Sequence, residues 1–262
     1  MGIEAITELI DALRGKNGCP WDRKQTPQTI SVYLVEEIYE LIDAIDSGEH
    51  DSVCEELGDV LFQILFLISL FRDMGHFDFE SVVDLIVEKM KRRHPHVFGK
   101  DKVDSAEAVQ ERWHKIKIKE KQHIPTDSIL ESVPSNLPAL MRAYRISERA
   151  AKTGFDWQDI FGVLEKVEEE LNELKTALKA QGPTSKDKEL LALEFGDILF
   201  SLVNVARFAN IHPETALRGS TVKFEKRFKY MEKLVSNGGK DMESIPQHKL
   251  DDLWEEAKEK VG

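Results

Sequence analysis

Glu169, Glu170 and Glu173 precede the string Glu194-Phe-Gly-Asp197-Ile-Leu-Phe200, and Glu36, Glu37 and Glu40 precede Glu56-Leu-Gly-Asp59-Val-Leu-Phe62 in the same order. On a helix, side chains three or four positions apart share a face, so Glu170 stands with Glu173 and Glu194 with Asp197, while Glu169 sits at the edge. If the two helices of each pair are antiparallel neighbours, four or five carboxylates converge. Ionised carboxylates that close repel, and the usual responses are raised pKa values or bound cations. An all-oxygen donor set without Cys or His suits hard divalent ions, Mg²⁺ first and Mn²⁺ as its substitute.

Asp and Glu make up 48 of 262 residues, so one triplet of this spacing arises by chance about once or twice and reads equally well as a solvated helix face. The repeated order is what carries the signal. Five of the seven residues in the two strings are identical, and each string follows its triplet after fifteen residues in one copy and twenty in the other. Asp59 and Asp197 each lead into a largely apolar stretch, so their carboxylates are expected to point into the bundle, where an unpaired charge is costly and a cation relieves it. Gly58 and Gly196 cost about 1 kcal/mol each relative to Ala in a helix interior, and are expected to let the facing helix approach closely.

Mg²⁺ is typically held by a few carboxylates together with the phosphates of a substrate. Lys223, Lys226 and Arg227 occupy one helical face and could hold phosphate oxygens, Arg by a bidentate fork. Lys89, Arg92 and Arg93 stand at the matching place in the first copy; the alternative for all six is pairing with surface acid. Trp254 or Trp157 could stack on a base or ribose, or anchor a core. Other chemistries find little support. Pro95 keeps His94 and His96 off a shared helical face, a di-iron bundle needs Glu-x-x-His on two helices where only Glu111 to His114 fits, and no P-loop or nucleophile setting is present.

The elements that must position these groups are helices. From Thr29 to about Ile45, apolar residues recur at three and four, the period of one buried stripe. Asp51 or Ser52 is expected to cap the next helix, which runs to about Met74 and is apolar almost all round from Val60, so it should be buried on several sides, inside a bundle or at a subunit interface. Further helices are expected at residues 1–17, at Phe79 to Arg93, and at 105–121 around Trp113 and Lys117. In the second copy they fall at Phe161 to Ala180, Glu194 to Asn210, Glu214 to Val235, and a last one carries Trp254 and Lys258. The loop Gln181-Gly-Pro-Thr-Ser-Lys186 separates the second triplet from its string. Pro125, Pro134 and Pro138 mark a linker at about 122–138, between a first helical domain (1–124) and a second (125–262). Landmarks recurring in one order with no strand pattern between them make this an all-α tandem duplication.

A net charge of −12 and a pI near 5.2 argue against a surface that tracks nucleic acid. Cys19 and Cys54 are too few for a disulfide framework, so a reducing compartment is expected. Met1 to Arg14 reads as a first helix rather than a signal. Val60 to Phe71 falls short of the ~20 residues of a membrane span. A soluble, cytoplasmic protein is the expectation.

With Gly-Cys-Pro-Trp-Asp at 18–22, Arg-Arg-His-Pro-His-Val-Phe at 92–98, Leu-Pro-Ala-Leu-Met-Arg-Ala at 137–143 and Gly-Phe-Asp-Trp at 154–157, the chain resembles, over its full length, the MazG family of all-α nucleoside triphosphate pyrophosphohydrolases, whose signature is Glu-Glu-x-x-Glu followed by Glu-x-x-Asp. The resemblance implies Mg²⁺-dependent hydrolysis of NTPs and dNTPs between the α and β phosphates by a two-metal mechanism, in a homodimer whose bundles are completed across subunits. It implies Glu170, Glu173, Glu194 and Asp197 as metal ligands, Glu169 as the group that orients or deprotonates water, and Lys166, Lys223, Lys226, Arg227, Trp254 and Lys258 on the substrate. The first copy keeps the ligand types at Glu37, Glu40, Glu56 and Asp59, with Glu36, Lys89, Arg92, Arg93, Trp113 and Lys117 around a second possible site. Asn204, where the first copy has Phe66, offers an amide for a base or ribose and favours the second copy as the main site. A nucleotide-sensing module without hydrolysis, or a partner-binding bundle, remains the alternative.

Overall fold

The structure, a computed structural model, describes residues 2–99, 105, 108, 109, 112, 113, 116, 120, 128–179 and 185–261, without the side chains of 185 and 186. The chain forms two compact units, Met1–Ile124 and Pro125–Gly262. The first contains α1 (Ile3–Arg14), α2 (Pro27–Ser47), α3 (His50–Asp73), α4 (Phe79–Arg93) and the single turn α5 (Pro95–Phe98). The second contains α6 (Ala139–Ala151), α7 (Ile160–Lys179), α8 (Ser185–Phe208), α9 (Pro213–Asn237) and α10 (Gln247–Val261). Among the described residues there is no strand. The protein is an all-α tandem duplication.

Local chemistry sets the frame of the first hairpin. Thr26 caps α2 through a reciprocal box with Thr29, and Pro27 supplies the pre-set backbone angle of the first turn. The helix stops at Gly48, whose φ of 76° lies in the left-handed region that a side chain disfavours. With only Gly48 and Glu49 between them, α2 and α3 fold back antiparallel and make the main contact of the unit. Neither Asp51 nor Ser52 caps α3. Because the linker is so short, the helix already begins at His50, Glu49 takes the cap position without a side-chain bond, and the Glu49 N–H donates to Ser47 Oγ at 3.2 Å.

In each unit a leading helix lies on the second long helix, α1 on α3 and α6 on α8. The first core joins Ile10, Ile30, Leu65, Phe66, Ile68 and Leu70, and Arg14 closes its edge by donating to Ser69 Oγ at 2.7 Å with its guanidinium over the Phe66 ring. Within the chain α3 is buried along this C-terminal half, while Leu57 and Ile64 remain exposed. In the second unit Val163, Val203, Met231, Val235 and Ala257 are buried, while Leu193, Phe195, Leu199, Phe200 and Leu202 of α8 stay exposed. α9 packs on α10, α6 and α8.

α8 begins nine residues ahead of Glu194, longer than its sequence pattern suggests. The proline-marked linker is partly folded: Ile129–Ser132 forms a 3₁₀ turn on α6, where Arg149 Nε donates to Ser132 Oγ at 3.2 Å. The helix expected at 105–121, with Lys117, Glu111 and His114, lies largely outside the described residues, as do 181–184 of the loop expected at 181–186, whose last two residues instead begin α8. No helix among the described residues is long and apolar enough to cross a membrane.

Candidate functional site

Both hairpins bring acids from two helices into one place. In the second unit Glu170 and Glu173 of α7 and Glu194 of α8 offer oxygens that all lie within 4.8 Å of one another. In the first, Glu37 of α2 meets Glu56 and Asp59 of α3 within the same limit. The antiparallel hairpin is the cause: the middle of one helix faces the early part of the next. The convergence is smaller than the four or five expected. Glu40 stays outside the first triad, though close enough to push Glu56 upward, and Asp197 stays outside the second.

The electrostatics follow from this crowding. Glu37 is pushed above the usual carboxylate value chiefly by desolvation, helped by Asp59, Glu40 and Glu36, while a hydrogen bond from Gln63 Nε2 at 3.4 Å opposes it. Glu56 is raised by desolvation and then by Glu40, Asp59 and Glu37. Glu173 is raised by desolvation, Glu170 and Glu194, with Lys166 opposing. Glu170 is only 6 % exposed. One Glu56 oxygen, Oε2, is buried with no hydrogen-bond partner. A buried, partnerless carboxylate oxygen among other acids fits a hard cation, the one partner that would satisfy all three groups together.

Asp59 and Asp197 are exposed rather than turned into the bundle, which corrects the expectation drawn from the apolar residues that follow them. Of the residues that follow them, Val60, Leu61, Phe62 and Ile198 are partly buried, while Leu199 and Phe200 stay exposed. Gly58 and Gly196 are likewise not sites of close approach by a facing helix of this chain: a Cβ at either would meet nothing within 4 Å.

Around the second triad, Lys166 Nζ donates to Glu169 at 2.8 Å and to Glu170 at 2.7 Å, which holds the otherwise exposed Glu169 beside the cluster. A groove of about 490 Å³ opens here, lined by Glu169, Asn172, Glu173, Thr176, Ala177, Leu190 and Glu194. Asn204 is fully buried and committed internally: it donates to the Phe200 carbonyl at 3.1 Å and accepts from Arg207, which grips Asp156 with both terminal nitrogens. The amide thus braces the Gly-Phe-Asp-Trp loop instead of facing the groove. Sequence reading missed Arg207 and Asn172; only the position of Arg207 one turn after Asn204 hinted at that tie.

On α9, Lys223 and Lys226 are exposed, and Arg227 is partly covered by Trp254, its guanidinium 5.8 Å from the ring centre. Phe224 packs on the same indole at 5.2 Å. Lys258 pairs with Glu255 at 2.6 Å. The first unit repeats the cation over the indole, Arg93 over Trp113 at 5.4 Å. There Arg92 and Arg93 are both bound to Glu120, at 2.7 and 2.5 Å, which holds its carboxyl down at about 2; pairing with acid is what this structure gives them. Lys89 is partly buried. Among the described residues, no ion pair joins Lys223, Lys226 or Arg227 to the second triad.

Comparison with known proteins places these hairpins. The MazG nucleotide pyrophosphohydrolase domain matches residues 25–98 and again 152–231. The nucleoside triphosphate pyrophosphohydrolase/pyrophosphatase MazG of Thermotoga maritima is 48 % identical over 255 residues, covering 97 % of this chain and 95 % of that protein. The nucleoside triphosphate pyrophosphohydrolase of Escherichia coli K12 is 38 % identical over 257 residues, covering 98 % and 97 %. A crystal structure of a mazG-related protein from Thermotoga maritima aligns at 32 % identity over 44 % of this chain and 98 % of that one, with a TM-score of 0.39.

Proposed function

Because the chain belongs to the MazG nucleotide pyrophosphohydrolase family, we propose that it hydrolyses nucleoside triphosphates, ribo or deoxyribo, to the monophosphate and pyrophosphate, and that it does so with Mg²⁺. The observation that carries the reading is the pair of acid triads, each inside a segment matched by the family domain and each drawn within 4.8 Å by its own hairpin. The names of two relatives that span nearly the whole chain support the substrate class.

Glu170, Glu173 and Glu194, with the exposed Asp197, would hold the metal in the second copy. Two divalent ions bound there would supply an activated water and charge neutralisation on the departing pyrophosphate. Glu169, already steadied by Lys166, would orient that water and accept its proton. Lys223, Lys226 and Arg227 offer the cations a polyphosphate requires, with Arg227 oriented by Trp254 and Lys258 nearby in sequence. The first copy keeps a complete triad, so it stands as a second metal site.

A homodimer fits the reading for two reasons. The phosphate-binding helix and the second triad are not joined by any ion pair among the described residues, and α8 leaves Leu193, Phe195 and Leu199 exposed around the open Gly196. A second copy laid on this face would bury the apolar residues and could bring its own cations to the acids. A cytoplasmic setting accords with Cys54, a free and exposed thiol.

The test is a pyrophosphate-release assay over all NTPs and dNTPs with and without EDTA. Release that stops on chelation and resumes with Mg²⁺ is expected. Binding without release would point to a sensor, and release indifferent to chelation would end the metal reading.

A further inference from the structure

We propose that the Lys166 ammonium is an internal counter-cation that weakens the loading of a divalent ion on the second acidic triad by itself, so that this copy takes up metal best together with a polyphosphate, whereas the first copy loads metal more tightly alone. The inference rests on the metal reading above. It starts from a difference between the two copies in what stands beside each triad.

Lys166 stands one turn before Glu169 and Glu170, and its Nζ contacts both, at 2.8 and 2.7 Å. Glu170 is itself a triad member and 6 % exposed. A positive charge is therefore already seated against the oxygens a metal would use. The matching position before Glu36 and Glu37 is Tyr33, which turns its ring to Trp21, 5.6 Å between centres. The partner the structure gives Glu37 is the neutral Gln63 amide, and among the described residues the charged groups acting on Glu37 include Asp59, Glu40 and Glu36, and those acting on Glu56 include Glu40, Asp59 and Glu37. Among the described residues, one triad carries a resident cation and the other does not.

The consequence is a difference in metal affinity. A monovalent cation a few ångströms from a divalent one costs binding even with the screening of bulk water, and the repulsion corresponds to about tenfold or more in affinity. When a polyphosphate arrives, its oxygens give the ammonium new acceptors of the same charge, and Lys166, about one-third exposed on a flexible stem, has room to turn to them. Lys166 is then a positioning residue: it holds Glu169 and Glu170 in place before the substrate comes and leaves them for phosphate afterwards. Idle metal loading of the second copy is thereby weakened.

The experiment is a Mn²⁺ titration of the full chain followed by electron paramagnetic resonance, without nucleotide. Two classes of site are expected, the tighter removed by Glu37→Gln and the weaker by Glu170→Gln. Lys166→Met should tighten the weaker class about tenfold, and Tyr33→Lys should loosen the tighter class by a similar factor. In saturating pyrophosphate the advantage of Lys166→Met should vanish. Unchanged or weaker Mn²⁺ binding in a Lys166→Met protein with native circular dichroism overturns the proposal, as does a Tyr33→Lys variant that binds like the parent. A gap that persists in pyrophosphate overturns it too. If the parent chain binds no Mn²⁺ at either triad, the metal reading falls with it; if it binds and Lys166→Met changes nothing, only this proposal falls.

Discussion

Glu37→Gln should make the metal-free protein more stable, although it removes a metal ligand. Glu37 shares its triad with Glu56 and Asp59, all offering oxygens within 4.8 Å. Two unit charges about 4 Å apart repel by about 1 kcal/mol even at the dielectric of water. Two neighbours slightly farther off sum to about 1.5 kcal/mol, and physiological salt at so open a site leaves about 1 kcal/mol. The hydrogen bond from Gln63 survives, since the new amide oxygen still accepts it. The sign of the pH dependence follows from the direction of the shift. Glu37 is raised in the folded chain, so the folded state binds more protons than the unfolded one between the two pKa values, and stability falls as pH rises through that window. The gain from Glu37→Gln should therefore be absent below about pH 4.5, appear as the parent carboxylate ionises and persist at pH 8. For a domain of this size it corresponds to a rise of about 4 °C in melting temperature. Scanning calorimetry in EDTA reads it directly. With Mg²⁺ added, the parent should gain stability that the variant does not, on the order of 2.7 kcal/mol at a hundredfold excess over the dissociation constant. A variant as stable as the parent or less stable at pH 8 in EDTA would refute the account of three acids crowded without a counter-ion.

Asp197→Asn should reduce pyrophosphate release by at least about a hundredfold and Asp59→Asn by much less; equal losses in a steady-state assay would remove the assignment of the second copy as the main site. Arg207→Ala should cost about 2 kcal/mol in urea unfolding, between the value for an exposed pair and that for a buried one, because the Arg207 and Asp156 side chains are 13 % and 25 % exposed. A loss under about 0.5 kcal/mol would mean the loop needs no such tie. Asp156 is held below its ordinary value by Arg207, so this contribution is present above the unfolded pKa and is lost as pH falls through the folded one. Gly196→Ala, with open space around the added methyl in the single chain, should weaken self-association in sedimentation. A gain of about 1 kcal/mol with unchanged association would instead show that face to be free.

Helix existence and repeat order were legible from residues 27–73 and 160–208, because a 3.6-residue apolar period and turn residues such as Gly48 act locally. The identity of Glu37, Glu56, Glu170, Glu173 and Glu194 as acids that meet was legible as well, since two helices separated by only a few residues have little freedom but to align. The direction of Asp59 and Asp197 was not. Apolar neighbours say that a helix has a buried face, but which way an intervening aspartate points depends on the rotation of that helix against its partner, set by core residues such as Phe66 and Val203. The commitment of Arg207 to Asp156 and of Arg92 and Arg93 to Glu120 depends on contacts across many residues, which no local spacing encodes. Spacing by itself put Lys166 within reach of Glu169 and Glu170; only the folded hairpin seated that ammonium beside the acids that gather there, because the third of them, Glu194, comes from another helix.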